Sequence, residues 1–137
     1  MLRKAFRDTV VSYGMDRLME KSGVVIAAFS GGADSSVLLK LLGEYTTEKG
    51  IRLISAHVNH MIRGEEADAD EQLARKTAEN MGIPIHVKKT DVPTYAREIG
   101  CGLEEAARII RYSFFEELAA QYGNAVIATA HNADDNL

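Results

Sequence analysis

The residues best suited to chemistry begin at Ala28-Phe29-Ser30-Gly31-Gly32-Ala33-Asp34-Ser35-Ser36. Consecutive glycines let the main chain turn tightly and let a ligand approach its N–H groups. A helix starting near Asp34 or Ser35 would add four unpaired N–H groups and a partial positive charge, while Ser30, Ser35 and Ser36 add hydroxyls. Together these form a cradle for phosphate or pyrophosphate. The sequence holds no G-x-x-x-x-G-K followed by Ser or Thr, and no G-x-G-x-x-G, so neither a Walker loop nor a dinucleotide fingerprint explains the turn. Asp34 is the informative departure, since a carboxylate beside phosphates makes sense when it holds a cation such as Mg²⁺. The plainer reading, a helix N-cap after an ordinary turn, would suffice for an isolated Ser-Gly-Gly. It suffices less well for one placed between a buried strand and a helix.

The other candidates fall at similar places. His57, Asn59 and His60 close one apolar run, Thr90 and Asp91 another, and His131, Asp134 and Asp135 a third. The elements that must position them are legible from periodicity. Residues 2–20 carry Leu2, Phe6, Val10 and Tyr13 at helical spacing, and an apolar run at 24–29 reads as a first strand. A helix over 35–48 stops at Gly50, and 51–58 forms a second strand. A helix over 65–81, burying Leu73, Ala74, Thr77, Ala78 and Met81, stops at Gly82, and 85–90 is a third strand. A long amphipathic helix through Leu103, Ala106, Ala107, Ile110, Phe114 and Leu118 closes at Gly123 before a fourth strand at 125–130. Alternating strands and helices with continuously apolar strands predict an α/β fold, a doubly wound parallel sheet with helices on both faces. Ligands bind such sheets at the carboxyl ends of the strands. Nearly every unusual polar residue falls at that edge, and this clustering marks a site.

Composition narrows the class further. The chain has 137 residues, 46% hydrophobic and 26% charged, as in an ordinary soluble globular domain. A single cysteine, Cys101, excludes an internal disulfide framework, a four-thiolate zinc site and a C-x-x-C pair. His57, His60, His131 and Cys101 lack the close paired spacing of zinc ligands. No apolar run approaches the roughly 20 residues of a membrane span, and the N-terminus lacks the apolar core of a signal peptide, so a cytoplasmic protein without membrane contact is expected. Sixteen basic against 20 acidic residues give a net charge of −4, unfavourable for tight nonspecific nucleic-acid binding. The acidic excess is local, at Glu65, Glu66, Asp68, Asp70 and Glu71, where a helix start favours it. A basic face built from Lys88, Lys89, Arg97, Arg108 and Arg111 remains compatible with that charge.

The motifs then resemble a known family. Ser30-Gly31-Gly32-Ala33-Asp34-Ser35 matches the SGGxDS signature of the PP-loop (N-type) ATP pyrophosphatases, which cleave ATP between its α and β phosphates and adenylate a substrate oxygen. Within that family three further stretches resemble the tRNA(Ile)-lysidine synthetases. His57-Val58-Asn59-His60-Met61-Ile62-Arg63 resembles H-x-(D/N)-H-x-x-R. Glu104 to Phe115 resembles E-E-x-A-R-x-x-R-Y-x-F-F. Ala130-His131-Asn132-Ala133-Asp134-Asp135-Asn136 resembles A-H-H-x-D-D-Q, with Asn132 and Asn136 as departures.

The resemblance implies ATP and Mg²⁺ as cofactors, with isoleucine tRNA carrying a CAU anticodon and free L-lysine as partners. It implies adenylation of the wobble cytidine, followed by attack of the lysine amine. Ala28 and Ser30 to Ser35, with His57, are then expected to hold the nucleotide, and Asp34 the Mg²⁺. Asn59, His60, Arg63 and Arg108 are expected at the substrate. Asp34, Arg111, His131, Asp134 and Asp135 are expected to act in catalysis. Arg111, on the border of a buried helix face, suits charge building on the α-phosphate, while Arg108 equally suits a surface pair with Glu104 or Glu105. A carboxylate or His131 suits deprotonation of the amine. A tRNA thiolase, an amidotransferase-type synthetase and a nonenzymatic adenine-nucleotide module are the alternatives, and a homodimer is compatible with the sequence. Because Asp134-Asp135-Asn136-Leu137 breaks off inside a motif, residues 1–137 are expected to be an N-terminal catalytic domain short of its end, with tRNA-binding domains outside it.

Overall fold

The computed structural model describes residues 21–29, 33–62 and 64–129, and of residues 33–35 and 129 the backbone alone. The helix expected over 2–20 lies outside the described residues. Strand β1 (Val24–Ala28) leads to helix α1 (Ala33–Lys49), β2 (Arg52–Asn59), α2 (Glu65–Asn80) and β3 (Ile85–Lys89). Helices α3 (Val92–Ile99) and α4 (Leu103–Gln121) follow, then β4 (Val126–Thr129).

All neighbouring strands pair in parallel, in the order β3-β2-β1-β4. The chain steps outward from β1 to β3, then returns past β1 to lay down β4 on its other side. The direction of winding therefore reverses between β1 and β4, and the crevice at their carboxyl ends is the switch point where such sheets bind ligands.

Alternation along the strands distributes the core between two layers. Val25, Ala27, Phe29 and Leu53 pack with Leu39, Leu42 and Tyr45 of α1 and Ala74 of α2. Ile26, Ile54, Ala56 and Val58 face the opposite way, onto Val92 and Ala96 of α3 and Ala106, Ala107, Ile110, Phe115 and Leu118 of α4. Gly50, Gly82 and Gly123, read as helix stops, have φ of 69°, 69° and 72°, the left-handed conformation that closes a helix end.

Two expectations need correction. Helix α2 buries only Ala74 and Ala78, whereas Leu73 and Met81 are 50% and 38% exposed. The helix packs close to the sheet through its small residues, which leaves the longer side chains on its flanks. Helix α3 was not expected. Asp91, grouped above with the strand-end polar residues, is its N-cap and accepts from the Thr94 amide at 3.0 Å, with Pro93 in the first turn.

Helix length sets the shape of the site. The 19 residues of α4 span about 28 Å at 1.5 Å each, whereas the five of β1 span about 17 Å. The far end of α4 is held at the amino edge of the sheet, where Ser22 Oγ donates to the carbonyls of Asn124 and Val24 at 3.0 and 3.2 Å. The surplus length at the start of α4 therefore projects beyond the end of β1, carrying Arg108 with it, while Arg111 lies near the level of the strand end.

Candidate active site

The switch point gathers groups from β1, β2 and α4. Helix α1 begins at Ala33, five residues after the end of β1 at Ala28, so its first turn, with Asp34 and Ser35 in it, opens at the carboxyl edge of the sheet. Ala28 is the last residue of β1. Ser30, Gly31, Gly32, Arg63, His131, Asp134 and Asp135 lie outside the described residues. The same holds for the side chains of Asp34 and Ser35.

His57 sits on the α1 side of β2 and is 4% exposed. Its Nδ1 lies 2.8 Å from the carbonyl oxygen of Phe29, at the end of β1. A carbonyl only accepts, so Nδ1 donates, and in the neutral ring Nε2 is an acceptor. That Nε2 is buried without a hydrogen-bond partner among the described residues. An unpaired buried polar atom is costly. One placed at the end of β1, beside the switch point, suits a ligand donor.

His60, one residue beyond β2, turns toward α4. Burial, then the positive charge of Arg111, then that of His57, lower its pKa from 6.5 to about 4. At neutral pH its ring is therefore uncharged within reach of the Arg111 guanidinium. The Nε2 of His60 is also buried and unpartnered among the described residues. Arg111 is half-buried, as its border position predicts. A guanidinium near the neutral His60 ring at the end of β2 can meet a phosphate oxygen, and that ring can orient what it binds without competing for the charge.

Asn59 takes a different part from the one expected for it. It is 1% exposed, and its amide is spent inside the protein. Nδ2 donates to Asp68 Oδ1 and Glu71 Oε1 at 2.9 and 3.1 Å, and Oδ1 accepts from the Met61 amide at 3.0 Å. Lys89 Nζ pairs with Asp68 at 3.2 Å, and Arg75 with Glu71 at 3.1 Å. Hydrogen bonds from Asn59 first, and the neighbouring cations next, hold both carboxyls below their usual range. This network ties the β2–α2 connection to the start of α2, and Met61 within it has a φ of 58°, unusual for a residue other than glycine. Sequence reading missed Asp68 and Glu71 as partners, because their acidity was already explained by the helix start.

Arg108 is exposed and lies over the ring of Tyr112, its guanidinium carbon 5.4 Å from the centroid. The i, i+4 spacing was the available signal for this pair. Among the described residues no three His, Cys, Asp or Glu side chains gather at metal-binding spacing. Among the described residues, too, no helix is long and apolar enough to cross a membrane.

Residues 5–137 match the family model described as the PP-loop domain. The chain belongs to the PP-loop family. It is 38% identical over 128 residues to the tRNA(Ile)-lysidine synthase of Clostridium acetobutylicum, covering 93% of this chain and 28% of that protein. It is 41% identical over 127 residues to the enzyme of that name from Clostridium perfringens, covering 92% and 27%. The chain thus spans less than a third of these relatives. Among solved structures, the U34-tRNA thiolase NcsA from Methanococcus maripaludis with its 4Fe–4S cluster aligns with a TM-score of 0.64 and 26% identity, covering 82% of this chain and 39% of that one. This PP-loop fold is the parallel sheet flanked by helices described above, and family membership implies ATP as its ligand.

Proposed function

We propose that this PP-loop domain is the catalytic part of an ATP-dependent ligase that joins lysine to the wobble cytidine of isoleucine tRNA with a CAU anticodon. The observation that carries the reading is identity of 35–41% to proteins named tRNA(Ile)-lysidine synthase, extending over about nine tenths of the chain. In this reading the cytidine O2 attacks the α-phosphorus of ATP and pyrophosphate leaves. The lysine amine then attacks C2, the C–O bond breaks, and AMP leaves.

Within the chain, Ala28 to Ser35 and His57 hold the nucleotide at the switch point. Asp34 is suited to Mg²⁺ by its donor chemistry, a carboxylate in the first turn of α1 where bare phosphates would be repelled; the ion would neutralise phosphate charge there. Arg111 stabilises the charge that develops on the α-phosphate, a contribution of about 2.7–4 kcal/mol for a well-placed donor in a water-poor site. His60, kept neutral, orients the substrate beside it. His131, Asp134 and Asp135 receive the lysine ammonium and its proton. Arg63 and Arg108 meet the RNA, the work is cytoplasmic, and the chain is the N-terminal catalytic domain of the enzyme.

A thiolase with an iron–sulfur cluster needs several cysteines, and these residues contain Cys101 alone. A nonenzymatic nucleotide module would account for His57 but would leave Arg111 and the neutral His60 near it without a reaction to serve. The test incubates full-length protein with ATP, radiolabelled lysine and isoleucine tRNA bearing CAU. Label in the tRNA with release of AMP is expected. ATP turnover with no label transferred would move the assignment to another PP-loop ligase, and binding without turnover would make it a nucleotide module.

A further inference from the structure

We propose that Asn59 is a positioning residue for the reaction: its side chain closes the turn that sets His60 at the carboxyl edge of β2. The proposal rests on the ligase reading above, in which His60 orients the substrate, and adds what orients His60 itself. Asn59 ends β2, is 1% exposed and faces α2. Its Oδ1 accepts from the Met61 amide at 3.0 Å, two residues on, the bond by which an asparagine side chain folds the chain after it into a turn. His60 is the middle residue of that turn. Both protons of Nδ2 go to α2, at Asp68 Oδ1 and Glu71 Oε1. One orientation of the amide satisfies all three partners, so the turn it closes is tied to a helix.

The main chain is held from the other side as well. The Thr90 amide donates to the Asn59 carbonyl at 2.9 Å and the Val92 amide to the His60 carbonyl at 3.1 Å, so the junction of β3 and α3 fixes both residues. Between these ties Met61 keeps a φ of 58°. That conformation is unfavourable for a residue other than glycine, persists where the surroundings over-determine it, and gathers at ligand and catalytic sites. The Met61 side chain is 40% exposed, so its own burial does little to offset the strain. Anchoring α2 would not require this turn, because α2 already packs on the sheet through Ala74. What the turn does fix is the His60 backbone, and with it the direction of a ring whose Nε2 is buried without a partner among the described residues. Misplacing a group at a site by about 1 Å can slow a reaction by about 10²-fold, so this clamp acts on the rate without touching substrate.

The test compares full-length wild type with Asn59→Ala, Asn59→Ser, His60→Gln and the double variant Asn59→Ala/His60→Gln, all well below their thermal midpoints. Ile26→Ala, a core change remote from the turn, is the control for lost stability. Lysine incorporation into isoleucine tRNA bearing CAU gives kcat and the KM for ATP. Asn59→Ala should lower kcat by about 10²-fold and leave the KM for ATP little changed. Asn59→Ser, whose hydroxyl closes the same turn more weakly, should lose less. The double variant should be no slower than His60→Gln, because Asn59 acts through that ring. Histidine NMR should show the His60 pKa rising from about 4 toward 6.5 in Asn59→Ala as the ring leaves its buried setting, and unmoved in Ile26→Ala. Wild-type kcat in Asn59→Ala would overturn the positioning role. So would an equal loss of kcat in Ile26→Ala, a further loss in the double variant, or an unmoved His60 pKa in Asn59→Ala. If Asn59→Ala does not fold, Asn59→Ser decides, and wild-type kcat with an unmoved His60 pKa there overturns the role. A wild type that transfers no lysine rejects the ligase reading, and the His60 titration then still decides whether Asn59 sets the ring.

Discussion

Replacing Asn59 by alanine removes three hydrogen bonds at a position only 1% exposed. The bond to Glu71 is charge-assisted, and such bonds contribute about 1.5–3 kcal/mol. The Glu71 side chain retains 14% exposure, so water can recover part of that and the lower half of the range applies. Loss of the acceptor for the Met61 amide adds about 0.5–1.5 kcal/mol. A total near 2–4 kcal/mol is expected, which lowers the urea midpoint by about 1–2 M for an ordinary dependence on denaturant. The pH dependence identifies the cause. Asn59 holds the Glu71 and Asp68 carboxyls below their usual range. Groups with a depressed folded-state pKa contribute stability that is complete above the unfolded value and disappears as pH falls through the folded value. The gap between wild type and Asn59→Ala is therefore widest at neutral pH and narrows below about 4.5, the ordinary value for Glu. Urea titrations at pH 7 and at successively lower pH measure both quantities. Equal midpoints at pH 7, or a gap that persists unchanged into acid, would refute the reasoning.

Further predictions concern the crevice and the core. Arg111→Gln should raise the pKa of His60 from about 4 yet leave it below 6.5, since burial is the larger cause; histidine NMR titration decides, and an unmoved pKa would place Arg111 away from the ring. Because that pKa is lower folded than unfolded, His60 costs stability as pH falls from 6.5 toward 4, and His60→Gln should flatten the stability profile across that window. Arg111→Ala should lower the rate of lysine incorporation by about 10²- to 10³-fold, as loss of a transition-state donor does; a rate within a few fold of wild type would remove it from the reaction. Ile26→Ala, fully buried at the centre of the sheet, should lose about 2–5 kcal/mol in chemical denaturation.

Periodicity alone was enough to read the alternation of strands and helices, because a buried parallel strand must be apolar throughout and its crossover helix must be apolar on one side. The glycine stops were equally legible, since only a left-handed residue closes those helix ends cheaply. Helix α3 escaped notice because eight residues carry little periodic signal, although Asp91 and Pro93 announced its start. Tertiary structure alone decided where the chain doubles back. The strand order β3-β2-β1-β4, and with it a crevice between β1 and β4, depends on contacts between residues far apart in sequence. The same is true of the partners at each polar residue. Asn59 and His60 are neighbours in the chain, yet one side chain is spent on Asp68 and Glu71 and the other turns toward Arg111. The twofold alternation of a strand end sends them to opposite faces of the sheet, and what waits on each face is set by the fold.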